Sequence, residues 1–243
     1  MPNEHEPPGV PLGLEELYLR PWYLDLVYAD PHLLILGDRG CGKTTLLRTW
    51  LHGLEQRYTP EQAKVILIDY RKTLIEFHHS EHLLRYAMTP EQVKEAVAFM
   101  EQELGQRLQA SSEQPVELMQ ESKPWEGLHY YLFVDDYESV ATLTPQMGNP
   151  LNALEGVVQA GREIGFHVVL ARRVTDYARN NYDPIFRAIR NMECPGILMR
   201  GDPAEGRQVL YKQNISDALP PGRGILVRHD VAPLKVQIAC PDP

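Results

Sequence analysis

The feature that most constrains this chain is a glycine-rich turn at residues 37–44, which reads Gly-Asp-Arg-Gly-Cys-Gly-Lys-Thr. Residues 33–36 before it are all apolar, as in a buried parallel strand. Residues 43–57 after it carry Leu and Trp at helical spacing on one side. A strand, a glycine-rich turn and a helix in this order predict a phosphate-binding loop. The glycines let backbone amides converge on a phosphate, and the helix N-terminus favours its charge.

The loop predicts ATP as the cofactor, and its polar residues have separate roles. Lys43 would place its charge on the β and γ phosphates, and Thr44 would offer its hydroxyl to Mg²⁺. Thr45 would support the loop or the α-phosphate. A chance glycine-rich turn is the alternative, and the matching strand and helix argue against it. The predicted nucleotide-binding residues are Gly37, Asp38, Arg39, Gly40, Cys41, Gly42, Lys43, Thr44 and Thr45.

The three cysteines, Cys41, Cys194 and Cys240, form no Cys-x-x-Cys pair. Neither a zinc site nor a disulfide framework is therefore predicted, and a reducing compartment is favoured. Cys41 lies within the loop just before a helix, where a thiol can become redox-sensitive. We favour the alternative, in which Cys41 is a small filler at a variable position of the loop.

Predicted strands alternate with predicted helices along the chain. The strands are 33–36, 65–68, 130–134, 167–170 and 196–199, and the helices are 43–57, 89–108, 150–163 and 182–191. This order predicts an α/β fold of the P-loop NTPase type, with a mostly parallel twisted sheet and helices on both faces. Segments 224–228 and 234–239 predict a C-terminal antiparallel hairpin around Asp230. Residues 1–11 predict a linker, residues 12–243 a single domain, and residues 111–127 mostly loop.

The chain is acidic, with a formal net charge of −9 and a pI of about 5.5. Proteins dedicated to nucleic acids draw affinity from neutralising phosphates and usually present a basic face. No nucleic-acid partner is therefore expected. The sequence contains no apolar run near the roughly 18 residues that a membrane-spanning helix needs.

A second pair of candidate residues follows the predicted strand 130–134. Asp135 would hold Mg²⁺ through water. Asp136 occupies the position where many ring-forming ATPases carry a glutamate that activates the attacking water. Aspartate is one methylene shorter, so its carboxylate falls back by about 1.5 Å, and a misplacement of that size can cost about 100-fold in rate. We expect firm ATP binding with slow hydrolysis; alternatively, Asp136 only caps a turn.

Three arginines follow other predicted strands. Arg172 and Arg173 come after strand 167–170, where one of them could sense the γ-phosphate or reach a neighbour's nucleotide. The pair could equally solvate the strand end, and both alternatives stay open. Arg71 follows strand 65–68 and could help to fix phosphate or a neighbouring domain. We favour a solvated loop charge for Arg71.

Two groups of aromatic and imidazole side chains have a structural interpretation. His78, His79 and His82 are clustered, but no cysteine lies near them, so a surface cluster is favoured over a metal site. Tyr130 and Tyr131 are interpreted as strand packing and not as a nucleotide-stacking pair.

An ordered set of short motifs resembles a known family. The motifs are residues 30–33 before the loop, 68–71, 134–137, 168–173, 182–184 and 220–224. Together they resemble the FtsK/SpoIIIE-type ATPase domains of EccC, the motor of type VII (ESX) secretion. The resemblance covers nearly the whole chain after about Val10 and is greatest to the last of three tandem ATPase domains. It implies a RecA/FtsK-like fold.

The resemblance also implies partners and a location. EccC is anchored at the bacterial plasma membrane by helices that precede its ATPase domains, which would place this domain on the cytoplasmic side. Its partners would be the neighbouring ATPase domains of the same motor, and a hexameric assembly is compatible with the resemblance. The last domain is implicated in recognising the C-terminal export signal of EsxB-like WXG100 substrates. Later domains tend to bind ATP at degenerate sites.

Two departures from the DNA-pumping relatives bear on activity. Those relatives carry Leu-Ala-Thr-Gln-Arg after the fourth strand, whereas residues 170–174 here read Leu-Ala-Arg-Arg-Val, which puts Arg173 at the glutamine sensor position. They also carry Asp-Glu where this chain has Asp135 and Asp136. The first hypothesis is therefore an ATP-binding regulatory or substrate-docking module. An active DNA translocase is the alternative, and a small-molecule P-loop kinase is a third, for which no arginine-rich lid is found.

Overall fold

The computed structural model describes residues 9–112, 125–142, 148–174, 183–204, 210–211, 213–229 and 231–240. Within these residues, ten strands form one sheet that carries helices on both faces. The strands are β1 (Val10–Glu15), β2 (Pro21–Leu24), β3 (His32–Leu36), β4 (Ala63–Ile68), β5 (Leu83–Ala87), β6 (His129–Val134), β7 (Phe166–Arg172), β8 (Gly196–Met199), β9 (Arg223–Arg228) and β10 (Val231–Ile238). The helices are α1 (Lys43–Arg57), α2 (Pro90–Ser112), α3 (Tyr137–Thr142), α4 (Glu155–Gln159), α5 (Gly161–Ile164) and α6 (Pro184–Asn191). Two short 3-10 helices span Ile75–His79 and Pro150–Leu154.

The sheet has a parallel part and an antiparallel part. Its strand order is β2-β1-β10-β9-β8-β3-β7-β6-β4-β5. Pairing is parallel from β8 to β5 and antiparallel from β2 to β8. The expectation of a mostly parallel α/β fold is confirmed. Because β3 pairs with β7 and β7 pairs with β6, all in parallel, the residues that follow these three strands meet at one edge of the sheet.

The sheet is stable because its central strands are buried on both faces. Every residue of β3 and β7 is buried, as expected when helices cover a parallel sheet on both sides. On the face of α1, Trp50 packs edge-on against Phe133 of β6, with ring centroids 5.8 Å apart. On the other face, apolar residues of α2, α4 and α6 pack against the same strands. None of the described helices is long and apolar enough to cross a lipid bilayer.

Several predicted elements change in the structure. The predicted linker boundary at residue 11 falls inside β1, because Val10 pairs with Leu24 and is buried. The predicted helix over residues 150–163 is broken into a 3-10 helix, α4 and α5. A side-chain carbon on Gly161 would lie 2.6 Å from the carbonyl oxygen of Phe166, so glycine at this position lets α5 lie close to the start of β7. Strands β1, β2 and β5 and helix α3 were not predicted.

Some predictions lie partly outside the described residues. Of the predicted loop at residues 111–127, residues 111–112 belong to α2 and residues 113–124 are not described. Asp230 and Tyr182 are also outside the described residues. The antiparallel hairpin itself is present as β9 and β10.

The clustered histidines do not behave as one surface group. His78 and His79 are exposed, but His82 is buried, and its Nε2 lies 2.8 Å from the carbonyl oxygen of Tyr58. The surface interpretation is therefore wrong for His82, which ties the start of β5 to the end of α1. Across the described residues, no group of three or more His, Cys, Asp or Glu side chains could hold a metal ion.

Both predicted strand tyrosines pack as expected. Tyr131 is buried and its ring lies 4.7 Å from that of His167 on β7. Tyr130 packs on the opposite face, 6.1 Å from the ring of Phe99. Neither tyrosine lines the nucleotide cavity described below.

Three further histidines make hydrogen bonds inside the fold, of which His32 and His167 are buried and His129 is half-buried. His129 Nδ1 lies 2.9 Å from His167 Nε2, and His167 Nδ1 lies 3.1 Å from the carbonyl oxygen of Pro31. His32 accepts from the Val168 amide at Nδ1, and its Nε2 lies 2.8 Å from a carbonyl oxygen. Burial lowers the pKa of His32 and of His129 to about 4, and that of His167 well below its usual range. All three are neutral at pH 7.

Candidate nucleotide-binding site

Two glycines set the backbone of the loop between β3 and α1. Gly40 has φ 75° and Gly42 has φ 110°, both in the left-handed region that favours glycine. A side-chain carbon on Gly42 would lie 3.1 Å from the backbone nitrogen of Gly222. That nitrogen donates a 2.9 Å hydrogen bond to the carbonyl of Cys41. The loop is therefore closed against the turn before β9 as well as against its own helix.

Lys43 is folded back along the loop. Its ammonium group donates to the carbonyl of Gly37 at 2.8 Å and to the carbonyl of Asp38 at 3.1 Å. Lys43 is buried. These contacts place its charge inside the curve of the loop, where a phosphate would meet both the ammonium group and the converging amides.

Among the other loop residues, some line the cavity beside the loop and one points away from it. Arg39, Gly40 and Thr45 line the cavity beside the loop. Asp38 faces the opposite side, and its Oδ2 accepts a 2.8 Å hydrogen bond from the amide of Asp202. The prediction that Asp38 contacts the nucleotide therefore receives no support from its side chain.

Cys41 is a buried filler, as favoured from sequence. Its sulfur lies 4.0 Å from the sulfur of Met199, and a side-chain carbon on Gly37 would approach it to 2.7 Å. Burial raises the pKa of the Cys41 thiol. A buried thiol with a raised pKa is poorly reactive, so the redox alternative is wrong.

Thr44 and Asp135 form a compact set of oxygen donors. The Thr44 hydroxyl donates a 2.7 Å hydrogen bond to Asp135 Oδ2. Thr73 donates to the same oxygen at 3.3 Å, and the Asp136 amide donates to Asp135 Oδ1 at 3.0 Å. Burial is the largest cause of the raised pKa of Asp135. A hydroxyl beside a carboxylate at the end of a central strand suits Mg²⁺, which prefers oxygen ligands.

Asp69 fixes the turn after β4, next to Asp135. The backbone amide of Asp135 donates a 3.0 Å hydrogen bond to the carbonyl oxygen of Ile68, so β4 and β6 end side by side. The Asp69 carboxylate accepts from the amides of Arg71 and Leu74 and from the hydroxyls of two other side chains. With four hydrogen-bond donors, this carboxylate holds the turn and the backbone of Arg71 in one position.

Asp136 faces the cavity and is ion-paired with Arg71. Its φ of 50° is left-handed, which costs roughly 1–3 kcal/mol for a residue other than glycine. The contact joins Arg71 Nε to Asp136 Oδ2, and the Asp136 side chain is only 10% exposed. The interpretation of Arg71 as a solvated loop charge is wrong, because its position beside β6 turns it into the cavity.

Arg172, the last residue of β7, and Arg173, which follows it, have different surroundings. Arg172 is buried, with its guanidinium 5.0 Å from the ring centre of Phe186, so the surface-pair alternative is wrong for it. Arg173 lines the cavity, and its Nε lies 3.1 Å from Glu138 Oε1. Arg173 is therefore the one of the two that could meet a phosphate.

These residues surround a cavity of about 460 Å³. It is lined by Arg39, Gly40, Gly42, Lys43, Thr44, Thr45, Arg71, Asp136, Arg173, Pro221, Gly222, Gln237, Ile238 and Cys240. Four of these side chains are basic and one is acidic, in a chain whose net charge is −9. The cavity is thus a local cationic site suited to a polyphosphate.

One wall of the cavity was not predicted from sequence. Pro221, Gly222, Gln237, Ile238 and Cys240 come from the turn before β9 and from the end of β10. Residues 220–224 were noted as part of the family motif, but no feature assigned them a role. They close the side of the cavity opposite the residues that follow β4, β6 and β7 only through the tertiary fold, because β9 and β10 lie far along the chain from the phosphate loop.

The residues present fit ATP and Mg²⁺. The loop amides, Lys43 and the cationic lining match a triphosphate, and Thr44 with Asp135 matches the metal that accompanies it. When bound, Mg²⁺ would neutralise charge on the β and γ phosphates. The protein's own contribution is to hold these groups in place.

Sequence comparison assigns the chain to a family. A model described as the FtsK/SpoIIIE family matches residues 2–124, just over half of the 243 residues. The chain belongs to the FtsK/SpoIIIE family.

Relatives of this FtsK/SpoIIIE domain include proteins of ESX secretion systems. The ESX secretion system protein EccC of Thermomonospora curvata is 36% identical over 230 residues, which is 95% of this chain and 17% of that protein. The ESX-4 protein EccC4 of Mycobacterium tuberculosis is 36% identical over 232 residues, 96% of this chain and 18% of that protein. The domain therefore spans less than a fifth of the length of these relatives.

A solved structure gives the same result for the fold. The structure titled Thermomonospora curvata EccC (ATPases 2 and 3) in complex with a signal sequence peptide matches with a TM-score of 0.86 and 35% identity. The match covers 96% of this domain and 41% of that chain. The resemblance to EccC ATPase domains is confirmed.

Proposed function

We propose that this domain binds ATP as part of a type VII secretion motor, hydrolyses it slowly, and serves as a regulatory or substrate-docking module. The observation that carries the proposal is the cavity of four basic side chains around the phosphate loop. We also propose that it is the last of three ATPase domains and lies on the cytoplasmic side of the plasma membrane, a proposal supported by the resemblance to EccC. Neighbouring ATPase domains, in a hexameric assembly, are the proposed intramotor partners.

Slow hydrolysis is supported by the state of Asp136. A general base must reach the proton of the attacking water. The Asp136 side chain is one methylene shorter than that of glutamate, and its carboxylate contacts Arg71. Arg173, at the sensor position, is engaged by Glu138. Both residues with a proposed part in catalysis therefore begin in contacts with other side chains of this domain.

A groove whose lining combines apolar side chains with the charged Glu15, Glu16, Arg223 and Lys235 supports the docking part of the proposal. A cavity of about 420 Å³ opens beside the β1–β2 turn, with Leu14, Leu19, Leu219, Ile225 and Val236 among its lining residues. In that turn, Leu17, Tyr18 and Leu19 are between 65% and 73% exposed. Exposed apolar clusters of this kind serve as interaction sites. We propose that the apolar side chains of a WXG100 C-terminal signal dock here as a helix in a groove.

The groove and the nucleotide cavity share a wall. Gln237 lines both cavities, and its Nε2 donates a 3.1 Å hydrogen bond to the carbonyl of Gly222. Gly222 in turn bonds the phosphate loop through Cys41. Bound ATP would stabilise this wall, which gives the nucleotide a structural role in docking.

Calorimetry and phosphate release on the purified domain test the nucleotide part. We expect ATP to bind and the turnover with Mg²⁺ to stay near background. Turnover of roughly 1 per second or faster, which is ordinary for an enzyme, would refute slow hydrolysis. The absence of binding heat with ATP would refute the proposal as a whole.

A fluorescent peptide with the C-terminal sequence of an EsxB-like WXG100 protein tests the docking part. Leu19→Asn should weaken peptide binding at least about tenfold by removing apolar contact area. Leu19 has φ 53°, a conformation that asparagine tolerates better, so the variant should fold. Leu84→Asn, at an exposed position on the opposite edge strand β5, is the matched control. Equal peptide affinity for both variants would exclude this groove.

A further inference from the structure

Arg71 and Asp136 neutralise one another in the wall of the nucleotide cavity. Both residues line that cavity together with Lys43 and Thr44. Arg71 Nε contacts Asp136 Oδ2 closely, but that oxygen has no aligned hydrogen bond. The pair is therefore held mainly by charge. The Arg71 side chain is 43% exposed, so it has room to move away.

The backbone on each side directs these two side chains at one another. Asp69 accepts a 3.2 Å hydrogen bond from the amide of Arg71 and fixes the turn that carries it. On the other side, the Asp136 amide is held by Asp135, and its carbonyl accepts a 2.8 Å hydrogen bond from Ser139. Left-handed backbone at Asp136 is strained. Such strain persists only where the surrounding structure fixes the backbone. In this conformation the Asp136 side chain lines the cavity.

We propose that the Arg71–Asp136 ion pair inhibits ATP hydrolysis from within the domain. The inference rests on the proposed function, because it concerns the same nucleotide site. Arg71 engages the carboxylate that would otherwise act as the base. In this domain the slow turnover then has two causes, the short side chain of Asp136 and its engagement by Arg71. The second cause is removable by a single substitution.

The chemistry explains why this carboxylate matters. Hydrolysis forms a bond between the water oxygen and the γ-phosphorus and breaks the bond from that phosphorus to the β–γ bridging oxygen. ADP leaves with the electron pair of the broken bond, and the proton of the water passes to a base. The Asp136 oxygen that contacts the guanidinium of Arg71 is not free to accept a hydrogen bond from the attacking water. Releasing Asp136 from Arg71 should therefore raise the rate.

Arg71 has one competing role, which predicts the opposite sign. An arginine in this position could stabilise charge on the transferring phosphoryl group, and arginines with that role raise the rate of hydrolysis. Removing Arg71 would then slow the reaction. The direction of the change in kcat thus decides between an inhibitory contact and a phosphate ligand.

The experiment compares kcat for phosphate release in four proteins at saturating Mg-ATP, with ATP affinity measured by calorimetry. They are the wild type, Arg71→Gln, Arg173→Gln and the double variant Arg71→Gln/Asp136→Asn. Arg71→Gln should raise kcat about tenfold or more, within the range that general-base catalysis supplies, while ATP affinity changes only a few-fold. Arg173→Gln removes an equal charge without releasing Asp136 and should not raise kcat. In the double variant this rise should disappear, with kcat at or below the wild-type value, because the base itself is lost.

An unchanged or lowered kcat in Arg71→Gln, with ATP still bound, overturns the inference and leaves ATP binding intact. A rise that persists in the double variant also overturns it, because Asp136 would then not be the base. Absence of ATP binding in the wild type overturns the proposed function as well. If Arg71→Gln does not fold, Arg71→Met keeps the aliphatic stem without charge and must show the same Asp136-dependent rise.

Discussion

The hydroxyl of Thr44 donates a 2.7 Å hydrogen bond to the carboxylate oxygen Oδ2 of Asp135. Thr44 belongs to the first turn of α1, and Asp135 follows β6. Strand β7 lies between β3 and β6, so this bond joins the phosphate loop to the second strand away. The two oxygens mark the position where Mg²⁺ would be held.

Thr44→Val should remove the effect of Mg²⁺ on ATP affinity. Valine has nearly the same shape but offers no oxygen to the metal and no donor to Asp135. We expect the wild type to bind ATP more tightly with Mg²⁺ than with a chelator, and the variant to bind equally in both, as measured by calorimetry. Thr49→Val on the same helix is the matched control, because its hydroxyl bonds the carbonyl of Ala239. A variant that keeps the full Mg²⁺ effect would remove Thr44 from the metal site.

Lys43→Ala should abolish the thermal stabilisation that ATP gives. A ligand that binds only the folded state stabilises it by about 2.7 kcal/mol at 100 times its Kd. The loss should appear as a melting temperature that no longer rises with ATP concentration. Lys64→Ala, near the start of β4 and bonded to the carbonyl of Glu81, removes the same charge away from the cavity and should respond to ATP like the wild type. A full ATP-dependent rise in Lys43→Ala would contradict the site.

Gly42→Ala should lower both stability and ATP affinity. Its φ of 110° strains any side chain, and the added carbon would lie 3.1 Å from Gly222. We expect a loss of about 1–3 kcal/mol in the free energy of unfolding. Gly105→Ala in α2, where an added carbon meets nothing within 4 Å, should instead gain about 0.5–1 kcal/mol. Chemical denaturation measures both, and equal effects would disprove the geometric argument.

Stability should fall as the pH is lowered from about 6.5 to about 4. The folded-state pKa values of His32 and His129 are lowered to about 4, so the unfolded chain binds more protons below pH 6.5. The stability that depends on these histidines being neutral is fully present above pH 6.5 and is lost as the pH falls towards 4. For fully buried His32 it is on the order of 3 kcal/mol. Denaturation curves between pH 7 and pH 4 measure the slope.

His129→Asn tests the origin of that slope. Asparagine can still donate to His167 but cannot be protonated, so the loss of stability between pH 6.5 and pH 4 should become smaller. His78→Asn, at an exposed histidine, is the control and should leave the slope as in the wild type. Identical slopes for the two variants would show that His129 does not contribute to the acid sensitivity.

The helices and strands that could be predicted best from the sequence are those with strong local patterns. The bounds of α1 and β8 agree with the predicted segments to the residue, because their apolar spacing and flanking glycines are local signals. Strand β1 and the edge strand β2 were missed, since they alternate between buried and exposed positions over few residues. The other edge strand, β5, was missed because two adjacent exposed residues interrupt its short apolar pattern.

The sequence alone determined the phosphate loop, because a helix, a strand and two left-handed glycines act on adjacent residues and need no distant partner. Only the tertiary structure decided what surrounds that loop. Parallel pairing of β4 with β6 brings Arg71 to Asp136, and the β9–β10 hairpin brings Gly222 and Gln237 to the far wall. These contacts join residues 65 to nearly 200 positions apart along the chain. No local pattern encodes them, since their position depends on strand order and on the burial of the sheet as a whole.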